Sequence, residues 1–524
     1  AVNRRSTGWF AVAGFWLGLA LHFYTASRFF PFFLAGFLLV EWLVARLTRR
    51  PALLPQHWRG ILVLYVVAAL VFAPLGLYFV QHPGSFAQRA SAVTALGAES
   101  PLARMARAAV ANVLQFFLPG GGDQEQFYNL PGRAVFDPVT ALLALVGLGV
   151  LLWRWRSGPA LFLLLWFPAL LLPSFLATDR WPTLPRVLGV IPGVYFFPAV
   201  GLAAVVGWLE RTSPPNPLSW LRPGEGESEG VRFIFLCLAL LLHAGLTWRD
   251  YFHVWGPSQA TYEAFEGDMV AAADWLDRYE DARLRHVYLS ADIYRHPTFM
   301  LLHERATVQT YFTRTNPQLS WFDGRAALPL PVANTPAVYL VPASAPLAAP
   351  ADAWLRAAAT ETDTVAGPDG APALQVLQVA AGTSVGPGMA AAAEPVALTP
   401  QLDLTGAQLA LTDGPEPELT LFWRTHGPDP ADWPGYRLEV VLPARDGTEW
   451  TGELSFEAFR PLEWTVDGGF VTWHTLHGYT GPAVSGGGAT GQGRLRLVRV
   501  RDSGPVATAA APEGWHAFTF SATY

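Results

Sequence analysis

The stretch LHFYTASRFFPFFL, residues 21–34, decides how the amino-terminal half is interpreted, because it places polar side chains between two apolar runs. Tyr24, Ser27 and Arg28 lie in its middle, and hydrophobic sequence continues on both sides. A charged group at the depth of membrane hydrocarbon costs free energy unless it faces protein or water. The stretch therefore predicts a turn between two membrane helices, with Arg28 directed into a cavity rather than into lipid.

The composition extends this interpretation to a whole membrane half. Apolar residues make up 52% of the 524-residue chain and charged residues only 15%. The apolar residues concentrate before residue 250 in runs near the ~20 residues that span hydrocarbon. These predicted spans are approximately 8–24, 29–47, 60–80, 136–153, 159–177, 187–209 and 231–248. The sequence therefore predicts a membrane α-helical bundle of about seven helices over 1–255, followed by a soluble half.

Charge and cysteine content exclude several classes of function. The net charge of −6 argues against a nucleic-acid partner. The chain has one cysteine, Cys237, inside an apolar run, so no intrachain disulfide supports the soluble half. Asp292, His296, His303 and Glu304 lie close in sequence, but scattered polar residues explain them better than a zinc site. We expect no metal and no bound cofactor.

The arginines predict the orientation of the bundle. Arginines cluster before the first predicted span, after the second and fourth, and around the loop before the last. Because cytoplasmic loops carry an excess of basic residues, we assign these segments to the cytoplasm. The short turn at 24–28, the loop 81–135 and the turn 178–186 then lie outside. The last span exits outward, which predicts a multi-pass plasma-membrane protein with an extracytoplasmic carboxy-terminal half.

The predicted outer segments also contain arginines, against the usual charge bias. They are Arg28, Arg89, Arg104, Arg107, Arg133, Arg180 and Arg186. One interpretation is that these side chains reach lipid headgroups or form loop salt bridges. The other is that they bind an anionic substrate at the outer face, because guanidinium groups fit phosphate oxygens.

The outer loop contains two distinctive pieces. Ser100-Pro101 predicts the start of a helix that either lies in the membrane interface or packs between spans. The stretch PGGGDQEQFYNLPGRAVFDP, residues 119–138, follows it. Its glycines allow close backbone approach to a ligand, and the alternative is an ordered loop capped by Asp137-Pro138. The spacing of its oxygen ligands does not match a calcium-binding EF-hand.

Four stretches in order resemble bacterial membrane glycosyltransferases of the GT-C fold, in the protein O-mannosyltransferase and lipid A aminoarabinose transferase group. They are GLALHFYTASRFFPFFLAGFLL (18–39), HPGSFAQRASAVT (82–94), GGDQEQFYNLPGRAVFDPVTALLALVGL (121–148) and LPRVLGVIPGVYFFPAVGLA (184–203). The resemblance implies an inverting enzyme that moves a sugar from a polyprenyl-phosphate carrier to an extracytoplasmic protein, lipid or glycan. It also implies an acidic general base in a first outer loop, which would lie upstream of residue 1 here.

The resemblance and the outer position of these residues together suggest the site. We expect contacts to the carrier phosphate or donor from Arg28, Arg89, Arg133 and Arg186, and a cavity lined by Tyr24, His82, Asp123 and Asn129. No catalytic residue is assigned. The alternative is a non-catalytic membrane-anchored glycan-binding or assembly protein on the same scaffold. A transporter is a further class, but no inverted repeat supports it.

The soluble half predicts two domains. Residues 260–279 have helical periodicity, and short strands at HVYLS, VQTYF, AVYLV and ALQVLQV predict a small α/β domain over 256–382. An Ala/Gly-rich linker follows at 383–395. Alternating runs over 396–524 predict a β-sandwich. Trp433, Trp450, Trp464 and Trp473 are either core residues or stacking surfaces for sugar rings.

Overall fold

The computed structural model describes most of the chain in two compact units, Ala1–Pro257 and Ser258–Tyr524. The described residues are 7–23, 25–82, 84–85, 100–176, 182–191, 193–212, 226–279, 285–303, 319–386, 395–411, 416–429, 435–482, 489–500, 506, 511 and 513–523. The first unit is helical and the second is mostly strand. This confirms the predicted order of a helical half followed by a β-rich half.

The helical unit has helices at the predicted apolar runs. They are α1 Thr7–Phe23, α2 Phe30–Leu47, α3 Leu53–Gln81, α4 Pro101–Leu114, α5 Pro138–Trp153, α6 Gly158–Phe175, α7 Leu184–Val187, α8 Phe196–Thr212 and α9 Gly226–Trp248. A 3₁₀ turn, Thr25–Phe29, joins α1 to α2, as residues 21–34 predict. A π-helical segment, Arg249–Trp255, continues α9.

Three helices of the described part are long and apolar enough to cross a membrane. They are Ser27–Leu47, Leu53–Gln81 and Gly158–Phe175. A fourth is counted if Leu184–Val190 and Gly193–Trp208, which meet at a 63° bend, form one broken span. The apolar helices α1 and α5 have 17 and 16 residues. The count of seven spans and their sidedness therefore stay predictions.

Glycines let two helix pairs of this unit pack closely. A Cβ added to Gly14 of α1 would lie 2.3 Å from the Leu64 carbonyl oxygen of α3. Cβ atoms at Gly147 of α5 and Gly201 of α8 would each lie 1.8 Å from a backbone oxygen of the other helix. Close contact at small residues is how helices associate where lipid removes the hydrophobic driving force. The α5–α8 crossing therefore depends on these two glycines.

The turn between α2 and α3 is organised around a buried carboxylate. Glu41 of α2 is fully buried, and its Oε1 accepts a hydrogen bond from Arg50 Nη1 at 2.6 Å. The Leu53 backbone N–H, at the start of α3, donates to Glu41 Oε2 at 2.9 Å. The ion pair and the backbone hydrogen bond offset the desolvation of the charge. Glu41 therefore fixes where α3 begins relative to α2.

Helix α4 packs against α6 through buried polar groups. Ser174 of α6 donates to Asn112 Oδ1 of α4 at 2.7 Å, and Gln115 Nε2 donates to the same oxygen at 3.0 Å. Asn112, Gln115 and Ser174 are fully buried. Leu102 and Val110 of α4 are 81% and 59% exposed. The helix thus packs within the bundle on one face, as one of the two interpretations predicts, and leaves an apolar face uncovered.

The second unit contains a mixed five-stranded sheet with helices packed on both of its faces. Its helices are α10 Gln259–Ala264, α11 Gly267–Arg278, α12 Pro297–His303 and α13 Ala349–Ala358. The strands are β1 His286–Ser290, β2 Leu319–Phe322, β4 Ala337–Pro342, β5 Glu361–Ala366 and β6 Pro372–Val379, while β3 Ala327–Leu330 joins another sheet. The order is β2-β1-β4-β6-β5, with β1 parallel to both neighbours.

Alternate side chains of this sheet enter different cores, because successive residues of a strand point to opposite faces. Val287 and Leu289 of β1 pack with α11 and α12, in a cluster that includes Met269 and Phe299. Tyr288, between them, belongs to the cluster on the other face, which extends into the strands after residue 396. The five-stranded sheet and the later strands therefore share a hydrophobic core.

The later strands form one curled sheet of nine strands, in the region where the sequence predicts a β-sandwich. They are β7 Val396–Thr399, β8 Leu402–Ala410, β9 Glu418–His426, β10 Tyr436–Pro443, β11 Glu449–Ser455, β12 Val466–Thr475, β13 Ala489–Arg499 and β14 His516–Thr523. The order is β11-β10-β13-β14-β8-β9-β12-β3, with β7 paired to β8. Strand β3 thus links the predicted α/β segment to this sheet.

The structure of this unit differs from the sequence predictions in several details. The strand predicted at VQTYF, residues 308–312, lies outside the described residues, and β2, β3 and β5 were not predicted. The predicted helix over 260–279 is two helices, because Glu266 adopts a left-handed φ of 57° between them. Trp464 and Trp473 are buried core residues, so they offer no stacking surface for a sugar. Trp433 lies outside the described residues.

The α5–α8 packing gives a direct test. We expect Gly147→Leu to lower the thermal unfolding temperature of the purified membrane protein, because the new side chain would collide with the α8 backbone at Phe197. Gly149→Leu is the matched control on the same helix, since a Cβ there meets nothing within 4 Å. Equal destabilisation by both variants would contradict the close helix contact.

Two buried histidines predict how stability depends on pH. Burial lowers the pKa of His286 and of His474 from 6.5 to about 4. The unfolded chain then binds more protons than the folded chain between these values, so stability falls as the pH drops from about 6.5 towards 4. We expect each histidine to remove about 2 kcal/mol of unfolding free energy by about pH 5.

The measurement is denaturant unfolding of the whole protein across this pH range, followed by near-ultraviolet circular dichroism. His286→Gln and His474→Gln should each flatten the profile, whereas His477→Gln, at an exposed position, should leave it unchanged. An unaltered slope in both buried variants would contradict the assignment.

Candidate functional site

The glycine-rich segment after α4 is an ordered loop that folds back on itself. The backbone N–H groups of Gly120 and Gly122 donate to the Gly132 carbonyl oxygen at 2.9 and 3.2 Å. The Gly132 N–H donates to the Asp123 carbonyl oxygen at 3.0 Å. A Cβ at Gly122 would lie 2.0 Å from the Arg133 carbonyl oxygen, so no larger residue fits there. The glycines therefore serve backbone packing within the loop.

Asp123 is inside this loop rather than at its surface. Its side chain is 1% exposed. Oδ1 accepts the Glu125 backbone N–H at 3.0 Å, and Oδ2 accepts the Leu184 backbone N–H at 2.8 Å. The second bond ties the loop to the start of α7. Asp123 therefore positions two segments, and the predicted role of lining a cavity finds no support in this arrangement.

Asn129 likewise connects elements instead of facing an opening. It is 2% exposed. Its Nδ2 donates to the Arg133 carbonyl oxygen at 3.0 Å, and its Oδ1 accepts from the Tyr251 hydroxyl at 3.1 Å. Tyr251 belongs to the π-helical segment after α9. Asn129 thus joins the outer loop to the end of the last apolar helix.

Arg133 makes an ion pair with the same π-helical segment. Its Nε lies 2.8 Å from Asp250 Oδ2, and its Nη2 donates to Thr247 at 3.4 Å. The guanidinium lies over the Tyr251 ring, 5.1 Å from the centroid. The arginine side chain is only 13% exposed. Arg133 therefore already has an anionic partner, which weakens its case as a ligand of carrier phosphate.

Arg28 and His82 lie at the same end of α3. The Arg28 guanidinium is 4.8 Å from the centroid of the Phe79 ring, on the last turn of α3. His82 follows that turn and stacks on Tyr78 with ring centroids 4.3 Å apart. Arg28 is half-buried and His82 is exposed. This arrangement brings two of the predicted site residues to one helix end.

The segments of Arg28 and Arg186 are neighbours. Arg186 is half-buried on α7, two residues after Leu184, whose N–H donates to Asp123. Three residues later, a Cβ at Gly189 would lie 3.7 Å from Phe30, which follows Arg28 by two residues. The contacts therefore connect both arginines to the outer loop at one end of the helices. Tyr24 and Arg89, also predicted, lie outside the described residues.

The sequence interpretation missed the residues that receive the loop. Thr247, Asp250 and Tyr251 contact Arg133 or Asn129, and His243 Nδ1 lies 2.8 Å from Asp137 Oδ2. The signal was present as TWRDYFHVW, residues 247–255, an aromatic run with one acid at the end of an apolar helix. Among the described residues, no group of three His, Cys, Asp or Glu side chains could hold a metal ion.

The Arg133–Asp250 pair gives a test of how the loop is held. We expect Arg133→Gln to loosen the loop, because it leaves the Asp250 carboxylate without its counter-charge. The measurement is the rate of limited proteolysis within residues 119–137 of the whole protein. Arg104→Gln, at an exposed position of α4, is the control.

The double variant Arg133→Gln with Asp250→Asn removes both charges together. Its increase in cleavage rate over the wild type should therefore be smaller than the increases of the two single variants combined. Strictly additive effects would contradict a coupled pair.

Comparison with known proteins leaves the chain without an assigned family. No family model, curated protein or solved structure matches it. The function is therefore argued from the position and chemistry of the residues described above.

Proposed function

We propose that the protein is a membrane glycosyltransferase with a GT-C-like helical unit. It would move a sugar from a polyprenyl-phosphate carrier to an extracytoplasmic protein, lipid or glycan acceptor, with inversion. The supporting observation is that contacts at Phe30 and Leu184 connect the segments that carry Arg28 and Arg186 to each other and to the ordered loop. The protein would be a multi-pass plasma-membrane protein with its β-rich unit outside.

The apolar helices support a lipid-linked substrate. At least three helices of the described part are suited to crossing a membrane, and their outward surfaces are apolar. A polyprenyl chain requires a hydrocarbon environment, while its phosphate requires a polar site at the membrane surface. A helix end that carries arginine satisfies both needs, because arginine extends an apolar stem from the hydrocarbon to the interface.

The two arginines would stabilise the departing phosphate. Guanidinium groups donate paired hydrogen bonds that fit phosphate oxygens. In an inverting transfer, the acceptor hydroxyl attacks the anomeric carbon as the bond to the carrier phosphate breaks, and the phosphate oxygen takes the bonding electrons. Fixed positive groups at that oxygen stabilise charge that grows in the transition state. Arg28 and Arg186 are the residues of this proposal, and Arg133 acts indirectly by holding the loop.

The proposal assigns no general base among three acids of the outer loop and the π-helical segment, because each of them has a structural role. Asp123 has both carboxylate oxygens bound to backbone N–H groups. Asp250 is paired with Arg133, and Asp137 caps α5 while binding His243. These three acids therefore have structural partners that compete with an acceptor hydroxyl. The polyprenyl-phosphate sugar is the donor substrate, and the proposal requires no metal or other cofactor.

The test is sugar transfer by the full-length protein in lipid nanodiscs, using polyprenyl-phosphate donors with radiolabelled sugars. Arg28→Ala and Arg186→Ala should each lower the turnover by roughly 10²- to 10³-fold, as loss of a transition-state charge contact does. Arg154→Ala, at the opposite end of α5, is the control. Turnover at the wild-type rate in both outer variants would overturn the assignment.

A second candidate is a non-catalytic membrane-anchored glycan-binding or assembly protein on the same scaffold. It is favoured by the structural engagement of Asp123, Asp137 and Asp250. The same nanodisc preparation separates the two. Saturable binding of the lipid-linked donor without any transfer to acceptors would favour the binding protein.

A further inference from the structure

We propose that the second unit contains a binding pocket for a small neutral polyhydroxylated molecule, of the size of one sugar ring. The pocket is a cavity of about 240 Å³ between the carboxyl ends of β1 and β2 and the segment after β11. Its lining includes Asp292, Tyr294, Trp321, Asp323, Glu457 and Arg460. This binding is independent of the transfer reaction proposed for the helical unit.

The position of the cavity is one in which α/β sheets bind ligands. Strands β1 and β2 are parallel, and Asp292 and Asp323 follow closely after them. Parallel strands direct their carboxyl ends to the same edge, where a crevice between the following loops can receive a ligand. The segment Ser455–Arg460 closes this crevice from the side of the curled sheet.

The walls of the cavity are joined by hydrogen bonds, so the pocket is formed in advance of binding. The Asp323 N–H donates to the Ala458 carbonyl oxygen at 2.7 Å, and the Ala291 N–H donates to Phe322 at 2.8 Å. A pocket that is already ordered loses little binding free energy to the ordering of its side chains and loops when a ligand binds.

Glu463 braces the same walls from behind. It is 8% exposed and accepts the Tyr294 hydroxyl at 2.6 Å and the Trp321 N–H at 3.2 Å. Burial raises the pKa of this carboxyl above its usual value, and these two hydrogen bonds act in the opposite direction. Glu463 therefore holds the walls of the cavity together. The exposed acids of the lining are the carboxylates that can contact a ligand.

The polar lining combines carboxylates with a guanidinium group. Asp292 and Glu457 are exposed carboxylates. Arg460 lies over the Tyr294 ring, 4.8 Å from its centroid, and its Nη2 donates to Glu457 Oε2 at 3.4 Å. Asp323 is paired through both oxygens with Arg325 at 2.8 Å. Carboxylates accept hydrogen bonds and guanidinium groups donate them. A hydroxyl group does both without carrying charge, so vicinal hydroxyls on one ligand match this lining.

The remaining lining and the volume suit a single ring. Trp321 and Phe322 are buried beneath the cavity and, with Ala326 and Ala458, give it an apolar surface. Pockets for drug-sized ligands start at about 300 Å³, so this one holds a smaller molecule. A sugar ring presents hydroxyl groups at its edge and C–H groups on its face, and both kinds of surface have a counterpart here.

The test is saturation-transfer NMR with the whole protein in phospholipid nanodiscs free of sugar-based detergent. The probes are D-glucose, D-galactose and D-xylose, with glycine and inorganic phosphate as charged comparators. We expect at least one sugar to bind saturably, with a dissociation constant on the order of 1 mM. Asp292→Asn and Glu457→Gln should each weaken that binding about tenfold, because each loses a charged acceptor.

Glu453→Gln is the matched control, since it removes an exposed acid of β11 outside the cavity. Thermal unfolding of each variant confirms that it remains folded. Absence of sugar binding, binding of only the charged comparators, or equal affinity in the pocket and control variants would each overturn the proposal. The assay contains no lipid-linked donor, so its failure leaves the proposed transfer reaction untouched, and the reverse also holds.

Discussion

The arrangement of the helical unit depends on the pair between Arg133 and Asp250, with Nε and Oδ2 at 2.8 Å. It joins the outer loop to the end of the last helix, and the Asn129–Tyr251 hydrogen bond lies beside it. Both partners are largely buried, so water screens their attraction less than at an open surface. Without this anchor, the glycine-rich backbone would lose its fixed position, because glycine leaves the unfolded loop many conformations.

The loop is held at its other side as well. Asp123 binds the start of α7, and α7 carries Arg186. Gly189, two residues after the end of α7, lies next to Phe30, the first residue of α2. Contacts thus connect the last helix, through the loop, to the segment that follows the turn of Arg28, although these segments are distant in sequence.

The sequence was sufficient to predict which segments form helices or strands. It was insufficient to predict which side chains contact each other. Runs of apolar residues located the helices of the first unit, and alternation located most strands after residue 396, because both patterns are local. The partner of Arg133 lies 117 residues away and that of Asn129 lies 122 residues away. Nothing local shows that an arginine is ion-paired, so the sequence selects Arg133 as a phosphate candidate together with Arg28, Arg89 and Arg186. The contacts of Asp123 are hidden for the same reason, since backbone acceptor roles leave no mark in composition.

Short strands and sites built from several segments were also not predicted, and the reasons are physical. Strand β2, LSWF, has four residues and is buried throughout, so it shows no alternation. The cavity at its end combines residues from three separate segments, which only the folded chain assembles. The tryptophans of the curled sheet were ambiguous in sequence, and the buried positions of Trp464 and Trp473 resolve them as packing residues.

Glu41 has a consequence for how the chain enters a bilayer. Its carboxylate is fully buried, and its partners are Arg50 and the first residue of α3. Transferring an unpaired acid to the middle of a bilayer costs about 2.5 to 3.5 kcal/mol in insertion. That cost falls when α2 reaches the membrane together with the connecting turn. The ion pair and the backbone hydrogen bond of Glu41 thus make α2 and α3 suited to partition together, as a hairpin.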